Sequence, residues 1–190
     1  GHTIWLSVTA SVTDYTKTSV ENKFTYKITD QSGTDVTANY KIATHFGALS
    51  VTKREVTFTS LGGYCEYNGT ALTNENEPTL GGTLANGEYA TFDVYGSQTD
   101  VGTSDNNFSV TIWRDNVDVT DNYSIKYYFG SLVVTERELW ITTESAQKVY
   151  DGTPLTKNKW HFDNSIQSVV GDHVLSVTIG ASITDCGTVD

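Results

Sequence analysis

Apolar and polar positions alternate with a period of two through much of the chain. Val56 and Phe58 share one face of such a run. So do Phe92 and Val94, then Phe108, Val110 and Ile112, and then Leu132 and Val134. Tyr123, Ile125 and Tyr127 form a further row. Side chains of a strand point to alternate faces, so these rows predict half-buried strands. Gly, Asn and Asp clusters lie between them and punctuate the strands. Asn68-Gly69 and Asp151-Gly152 read as turns, because these residues tolerate positive φ. Phe129-Gly130 separates two alternating runs and reads as a tight hairpin. Short strands at a spacing of about 8–12 residues predict an antiparallel sandwich or barrel. Alternation is poor from Trp160 to Val170, where a short helix is the other reading.

The pattern repeats. Val51-Thr-Lys-Arg-Glu-Val-Thr-Phe-Thr returns as Val134-Thr-Glu-Arg-Glu-Leu-Trp-Ile-Thr, a spacing of 83 residues. Tyr67-Asn-Gly-Thr-Ala-Leu-Thr returns as Tyr150-Asp-Gly-Thr-Pro-Leu-Thr, Val36-Thr-Ala-Asn-Tyr as Val119-Thr-Asp-Asn-Tyr, and Gly47-Ala-Leu-Ser-Val as Gly130-Ser-Leu-Val-Val, all at 83. One offset shared by four separated blocks defines a tandem array. Residues 3–52 then carry the C-terminal part of a repeat, 53–135 a complete repeat, and 136–190 the N-terminal part of another. Gly1 and His2 read as a cloning remnant. The phase stays open, since a cut at Thr3 gives two nearly whole domains. Lys53-Arg54-Glu55 and Glu136-Arg137-Glu138 interrupt apolar alternation and read as exposed crossings between domains.

Composition narrows the class. Threonine, at thirty residues of 190, is the most prominent type, with 11 Tyr, 4 Trp and only 2 Pro. Such a chain suits pleated, half-buried surfaces and lacks the usual helix formers. No run approaches the roughly 18 apolar residues of a helical membrane span. The net charge of −11, without a basic stripe, argues against nucleic-acid partners and against anionic bilayers. Cys65 and Cys186 form no framework, and their pairing is open.

Several of these segments are similar to a known family. Lys148-Val-Tyr-Asp-Gly-Thr-Pro-Leu-Thr, Thr99-Asp-Val-Gly-Thr, Val119-Thr-Asp-Asn-Tyr and Gly130-Ser-Leu-Val-Val-Thr-Glu-Arg resemble the signature of the YDG and MBG-type repeat domains of bacterial, Gram-positive surface proteins. The match is strongest from about residue 51 to 156 and covers the first 50 residues only through Val36 to Arg54. The resemblance implies an all-β array of about 83-residue antiparallel β-sandwich domains, Ig-like or β-grasp-like, in a long protein that is cell-wall associated or secreted. Such arrays serve as adhesin stalks, and the family offers no catalytic residue. Its motif turns fall on Tyr67, Asn68 and Gly69, and on Tyr150, Asp151 and Gly152. Asn68 stands where the signature has Asp, so the position serves turn geometry rather than acid chemistry.

Candidate chemistry is sparse. No two histidines have metal-ligand spacing, and no nucleophile elbow or phosphate-cradling loop occurs. Asp115, Asp118 and Asp121, spaced by three, are the calcium candidates, because hard oxygen donors from loops suit that ion. The same residues are what turns favour. Lys148 and Lys27 are candidates for a Lys–Asn isopeptide bond, with exposed strand lysines as the plain reading. Asn68-Gly-Thr, Asn107-Phe-Ser and Asn122-Tyr-Ser fit the glycosylation pattern. Trp140 and Trp160 are candidates for stacking on sugar, with packing against a neighbouring domain as the competing reading.

The sequence thus predicts a non-catalytic spacer segment of a cell-surface adhesin-like protein, without a cofactor unless calcium, whose partners are neighbouring repeats in the same chain. The alternatives are repeats that bind host glycan or mucin, or an accessory β-domain of a secreted polysaccharide-degrading enzyme.

Overall fold

The computed structural model describes residues 1–162 and 168–185. The strands, in chain order, are β1 (Thr3–Val8), β2 (Val20–Asn22), β3 (Phe24–Thr29), β4 (Gly47–Leu49), β5 (Arg54–Thr59), β6 (Gly63–Glu66), β7 (Thr79–Gly81) and β8 (Glu88–Val94). They continue as β9 (Gly102–Asp105), β10 (Phe108–Arg114), β11 (Val117–Asp118), β12 (Tyr123–Tyr128), β13 (Ser131–Thr135), β14 (Ile141–Thr143) and β15 (Trp160–Phe162). Two 3-10 turns, Thr37–Asn39 and Thr120–Asn122, are the helical elements among the described residues. The protein is therefore nearly all β, in several small and mostly antiparallel sheets. No helix among the described residues is long and apolar enough to cross a membrane.

The chain forms two units. Unit one gathers Gly1–Ser60, Asn76–Val94 and Asn107–Phe129. Its sheets are β1-β3, β2-β4, β11-β10-β8 and β12-β5-β7. The two three-stranded sheets feed one core of Val56, Phe58, Phe108, Val110, Ile112, Val119 and Tyr123, with Phe92, Val94 and Ile125 packed against it. These are the alternating rows of the sequence, now turned inward. Phe58 meets Phe92 edge-on at 5.3 Å between ring centroids. The Tyr123 row buries only its first member fully. Tyr127 is exposed, stacking along Phe129 at the surface.

Unit two gathers Leu61–Glu75, Tyr95–Asn106 and the described part of Gly130–Asp190. Its sheets are β6-β13-β9 and β14-β15. Leu132, Val134 and Asn106 are buried there.

Two pairings depart from the antiparallel expectation. β12 runs parallel to β5, from Tyr123 opposite Arg54 to Tyr128 opposite Thr59. β13 runs parallel to β6. The first strand of the 53–135 segment, β5, therefore lies beside the last but one, β12, which needs a long connection rather than a hairpin. The hairpin expected at Phe129-Gly130 is corrected by the same finding. β12 pairs with β5 while β13 pairs with β6 and β9, so this dipeptide passes the chain from unit one to unit two. Gly130 is required there by space: a Cβ would stand 2.4 Å from the Leu61 carbonyl carbon. Of the doubtful stretch, Trp160–Phe162 is strand and 168–170 is not helical, while 163–167 lies outside the described residues.

Arg54 and Glu55 are exposed and open strand β5, whereas Glu136-Arg137-Glu138 lies outside any strand.

Candidate functional site

The motif turns have one geometry. Asn68 Oδ1 accepts hydrogen bonds from the Thr70 N–H at 2.9 Å and its hydroxyl at 2.7 Å. Asp151 Oδ1 accepts the same pair from Thr153 at 3.0 and 2.8 Å. Gly69 and Gly152 both take positive φ, 78° and 76°. The side-chain oxygen substitutes for a backbone acceptor and closes the turn, and either Asn or Asp supplies it. Just beyond each turn, Leu72 exchanges backbone bonds with Gln98, and Leu155 with Ile183.

The two turns differ in charge. Lys148 Nζ donates to Asp151 Oδ1 at 2.7 Å and to the Thr153 carbonyl at 2.6 Å. That ammonium, with the Thr153 hydroxyl and N–H, holds the Asp151 carboxyl well below the usual carboxylate range. Cys65 and Asn68 occupy the positions of Lys148 and Asp151, so a charged pair is replaced by a neutral one. Lys148 clasps a turn rather than lying in a strand, contrary to its strand-like pattern. Lys27 lies in β3 and faces Asp35 at 4.0 Å.

Gly69 also meets the segment 168–173. A Cβ at Gly69 would stand 2.5 Å from a Val170 methyl. Tyr67 stacks on His173 at 6.0 Å between ring centroids. Arg137 pairs with Glu66 at 3.5 Å and donates to the Ser168 carbonyl. These contacts, all in unit two, join the 53–135 segment to the 136–190 segment.

A polar clasp in unit one joins 3–52 to 53–135. Arg114 donates to Asp14 Oδ1 at 2.7 Å, and Asn122 Nδ2 donates to the same oxygen at 2.9 Å. Asn122 Oδ1 accepts the Tyr15 N–H at 2.6 Å. The Arg114 and Asn122 hydrogen bonds hold the Asp14 carboxyl below its ordinary pKa. Arg114 also approaches Glu88, a nearly buried carboxylate that accepts the Tyr123 hydroxyl. Burial first, then Glu88, pushes the Tyr123 hydroxyl upward in pKa. Lys53 lies over the Tyr15 ring, 4.9 Å from its centroid.

The calcium candidates lie at turns. Asp115 and Asn116 take φ of 50° and 62° and form the two-residue turn between β10 and β11. This is the positive-φ pair that tight hairpins require. Asp118 Oδ1 accepts the Thr120 N–H at 2.9 Å, and the Thr120 hydrogen bonds lower its pKa. Asp35 does the same for Thr37 in the earlier copy. Asp121 lies in the second 3-10 turn. Among the described residues, no three His, Cys, Asp or Glu side chains are gathered as a metal shell.

The tryptophans are dispersed. Trp140 precedes β14 and is 56% exposed. Trp160 is half-buried in β15, edge-on to Phe162 at 5.5 Å. Trp5 lies exposed on β1, and the Trp113 ring N–H donates to the Thr91 hydroxyl. Cys65 is a free, half-buried thiol on β6, and Cys186 lies outside the described residues.

The sequence reading missed one buried anchor. Asn106 is fully buried, and its Nδ2 donates to the Leu61 and Asn74 carbonyls at 2.9 and 2.8 Å. Its N–H reaches the Gly130 carbonyl at 2.7 Å. Asn106 continues the period-two row of Phe108, Val110 and Ile112 by one step, and a polar residue in register with a buried face was the available signal, since buried polar groups are hydrogen-bonded.

No protein-family model, no curated protein and no solved structure matches the chain.

Proposed function

We propose that this protein is a non-catalytic spacer segment of a bacterial cell-surface adhesin-like protein, built from tandem β-sandwich repeats of about 83 residues. The Asp14–Arg114–Asn122 clasp is the observation that carries the reading, because it fastens one repeat to the next through side chains rather than through the linker alone. The Tyr67–His173 stack does the same at the following junction. Where each repeat holds its neighbours, an array transmits position along its length, as a stalk must. The acidic surface keeps neighbouring arrays apart.

The test compares chains of two, three and four repeats by small-angle scattering. A constant gain in maximum dimension per added repeat supports the spacer. A dimension that grows only as the cube root of mass refutes it. Protease shaving of intact cells checks the location: release of peptides from this segment is expected, and complete protection refutes a surface position.

One observation favours a second reading. Trp140 places a large, exposed ring on the surface, the kind of platform on which a sugar face stacks. A glycan or mucin array hit abolished by Trp140→Ala supports it, and hits that survive the substitution remove it.

A further inference from the structure

The clasp in unit one reads two neighbouring residues of a single loop. Asp14 and Tyr15 lie between β1 and β2, and Asn122 addresses both at once. Its Nδ2 donates to the Asp14 carboxylate at 2.9 Å, while its Oδ1 accepts the Tyr15 N–H at 2.6 Å. Arg114 supplies the charge, donating to the same Asp14 oxygen at 2.7 Å. Lys53 covers the Tyr15 ring, with its Nζ 4.9 Å from the centroid. Carboxylate, backbone N–H and ring of one dipeptide thus each meet a group of matching chemistry. Thr16, the next residue, ties the loop to its own segment: its N–H donates to the Val51 carbonyl at 3.2 Å. Arg114 is held in place from behind. Glu88, with a side chain 3% exposed, stands 3.6 Å from it and accepts the Tyr123 hydroxyl.

The equivalent places elsewhere in the chain carry different residues. Ile28 and Ile112 correspond, since both N–H groups donate to a threonine hydroxyl, Thr37 and Thr120, at 2.9 Å. Two residues on, Asp30 stands where Arg114 does. Asp30 accepts the Ser32 and Thr34 N–H groups, and a loop aspartate would meet it with like charge. Thr16 meets Val51 as Gly102 meets Val134, 83 residues after Val51. Asp100 and Val101 are therefore the counterparts of Asp14 and Tyr15. Glu136 is the counterpart of Lys53, and it lines one cavity of unit two with Val101. Ring and ammonium occur together at the first junction and are replaced together at the second.

We propose that Arg114, Asn122 and Lys53 form a recognition site for an Asp–aromatic pair on the loop of the preceding repeat, and that this site selects which repeat is accepted there. The partner it fits is a repeat whose β1–β2 loop carries aspartate followed by tyrosine. A loop with aspartate and valine, as at 100–101, satisfies Arg114 and gives Lys53 no ring to cover. A receiving face with an aspartate at the Arg114 position, as Asp30 provides, repels the same loop. Selection thus uses a repulsive element as well as attractive ones. The inference rests on the tandem-repeat spacer reading and adds to it a rule for the order of repeats.

Native-state hydrogen exchange of the 190-residue protein tests it, read at the Tyr15 and Thr16 amides, with the Ile112 amide reporting on the fold of 53–135. Asn122→Asp sets a second carboxylate against Asp14. It is expected to speed exchange at Tyr15 and Thr16 by about tenfold or more, the equivalent of one lost charge-assisted hydrogen bond. Adding Asp14→Asn exchanges amide and carboxylate across the contact. The pair is expected to return both rates to within about threefold of wild type. Tyr15→Val and Lys53→Glu carry the residues of the second junction into the first. Each is expected to speed exchange by about two- to fivefold, as the loss of an exposed cation–ring contact implies. Rates unmoved by Asn122→Asp, or no recovery in the pair, overturn the recognition site. Acceleration shared by the Ile112 amide overturns it equally, because these residues then hold the fold of 53–135 rather than its neighbour. Rates unmoved by both Tyr15→Val and Lys53→Glu overturn the selection of repeats. The scattering series decides the spacer reading separately: growth by a constant length with no response in exchange is a stalk whose junctions accept any repeat.

Discussion

Replacing Asn106 should destabilise unit two far more than any exposed asparagine replacement. The side chain is fully buried, and its amide donates to two backbone carbonyls from loops 45 and 32 residues away in sequence. Alanine removes both bonds and leaves the Leu61 and Asn74 carbonyls facing a void. Each net hydrogen bond contributes about 1 kcal/mol, and a stranded buried acceptor costs about 1–3 kcal/mol, so Asn106→Ala should cost about 2–4 kcal/mol. A domain holds about 5–15 kcal/mol in all, so this loss is large. Leu132→Ala, also at a fully buried site, provides the scale, at about 2–5 kcal/mol. Asn106→Asp separates hydrogen bonding from volume. Its ionised carboxylate offers only acceptors to two carbonyl oxygens, so at neutral pH it should cost more than alanine. Burial and those carbonyls raise the pKa of the introduced acid. The protonated form restores one donor, so the penalty is smallest below the unfolded pKa and grows as the pH rises through the folded one. The assay is urea unfolding followed by Cys65 accessibility, which reports on unit two. An Asn106→Ala midpoint within about 0.5 kcal/mol of wild type would refute the reasoning.

Three further outcomes follow from the clasps and turns. Asp14→Asn should lower the urea midpoint at neutral pH and low salt. Because the Asp14 carboxyl is held below its unfolded value of about 3.9, the difference from wild type should fade as the pH falls through the folded pKa. A difference that does not narrow at all as the pH falls below the unfolded value would sink the electrostatic account. Gly69→Ala and Gly152→Ala both force alanine to positive φ, at about 1–2 kcal/mol each, but among the described residues only Gly69 faces a neighbour, the Val170 methyl at 2.5 Å. Gly69→Ala should therefore cost more in thermal unfolding, and equal costs would contradict the close approach. Lys148→Met should raise the Asp151 carboxyl toward the ordinary range in a carbon-13 NMR titration, whereas an unmoved titration would show that the Thr153 bonds alone hold it down.

Residues that act through local pattern were legible from the sequence. The rows Val56-Phe58, Phe108-Val110-Ile112 and Leu132-Val134 became buried faces because period two is enough to define them. The Asn68-Gly69 and Asp151-Gly152 turns took the expected positive φ at glycine. Partnership was not legible. The β5–β12 pair joins residues 69 apart, and nothing local to Phe129-Gly130 distinguishes a hairpin from a passage between units. Asp115 reads equally as an oxygen ligand or a turn former, and its φ of 50° places it in the turn between β10 and β11, which no sequence pattern alone specifies. Lys148 was readable in retrospect: a cation three residues ahead of a turn aspartate reaches that carboxylate directly. Asn106 lay hidden because burial of a single polar residue is a property of the loops that enclose it.

The parallel β5–β12 ladder has a mechanical consequence. Arg54 begins one strand, Tyr128 ends the other, and the two strands point the same way over six residue pairs. A pull applied through these two residues acts along the strands from opposite ends of the ladder. Every rung is then loaded together in shear, whereas a hairpin at the same place would open one rung at a time. The hydrogen bonds of a parallel pair are evenly spaced, so no single rung takes a disproportionate share. The arrangement that cost the chain its simplest turn leaves this segment built to resist tension along its own length.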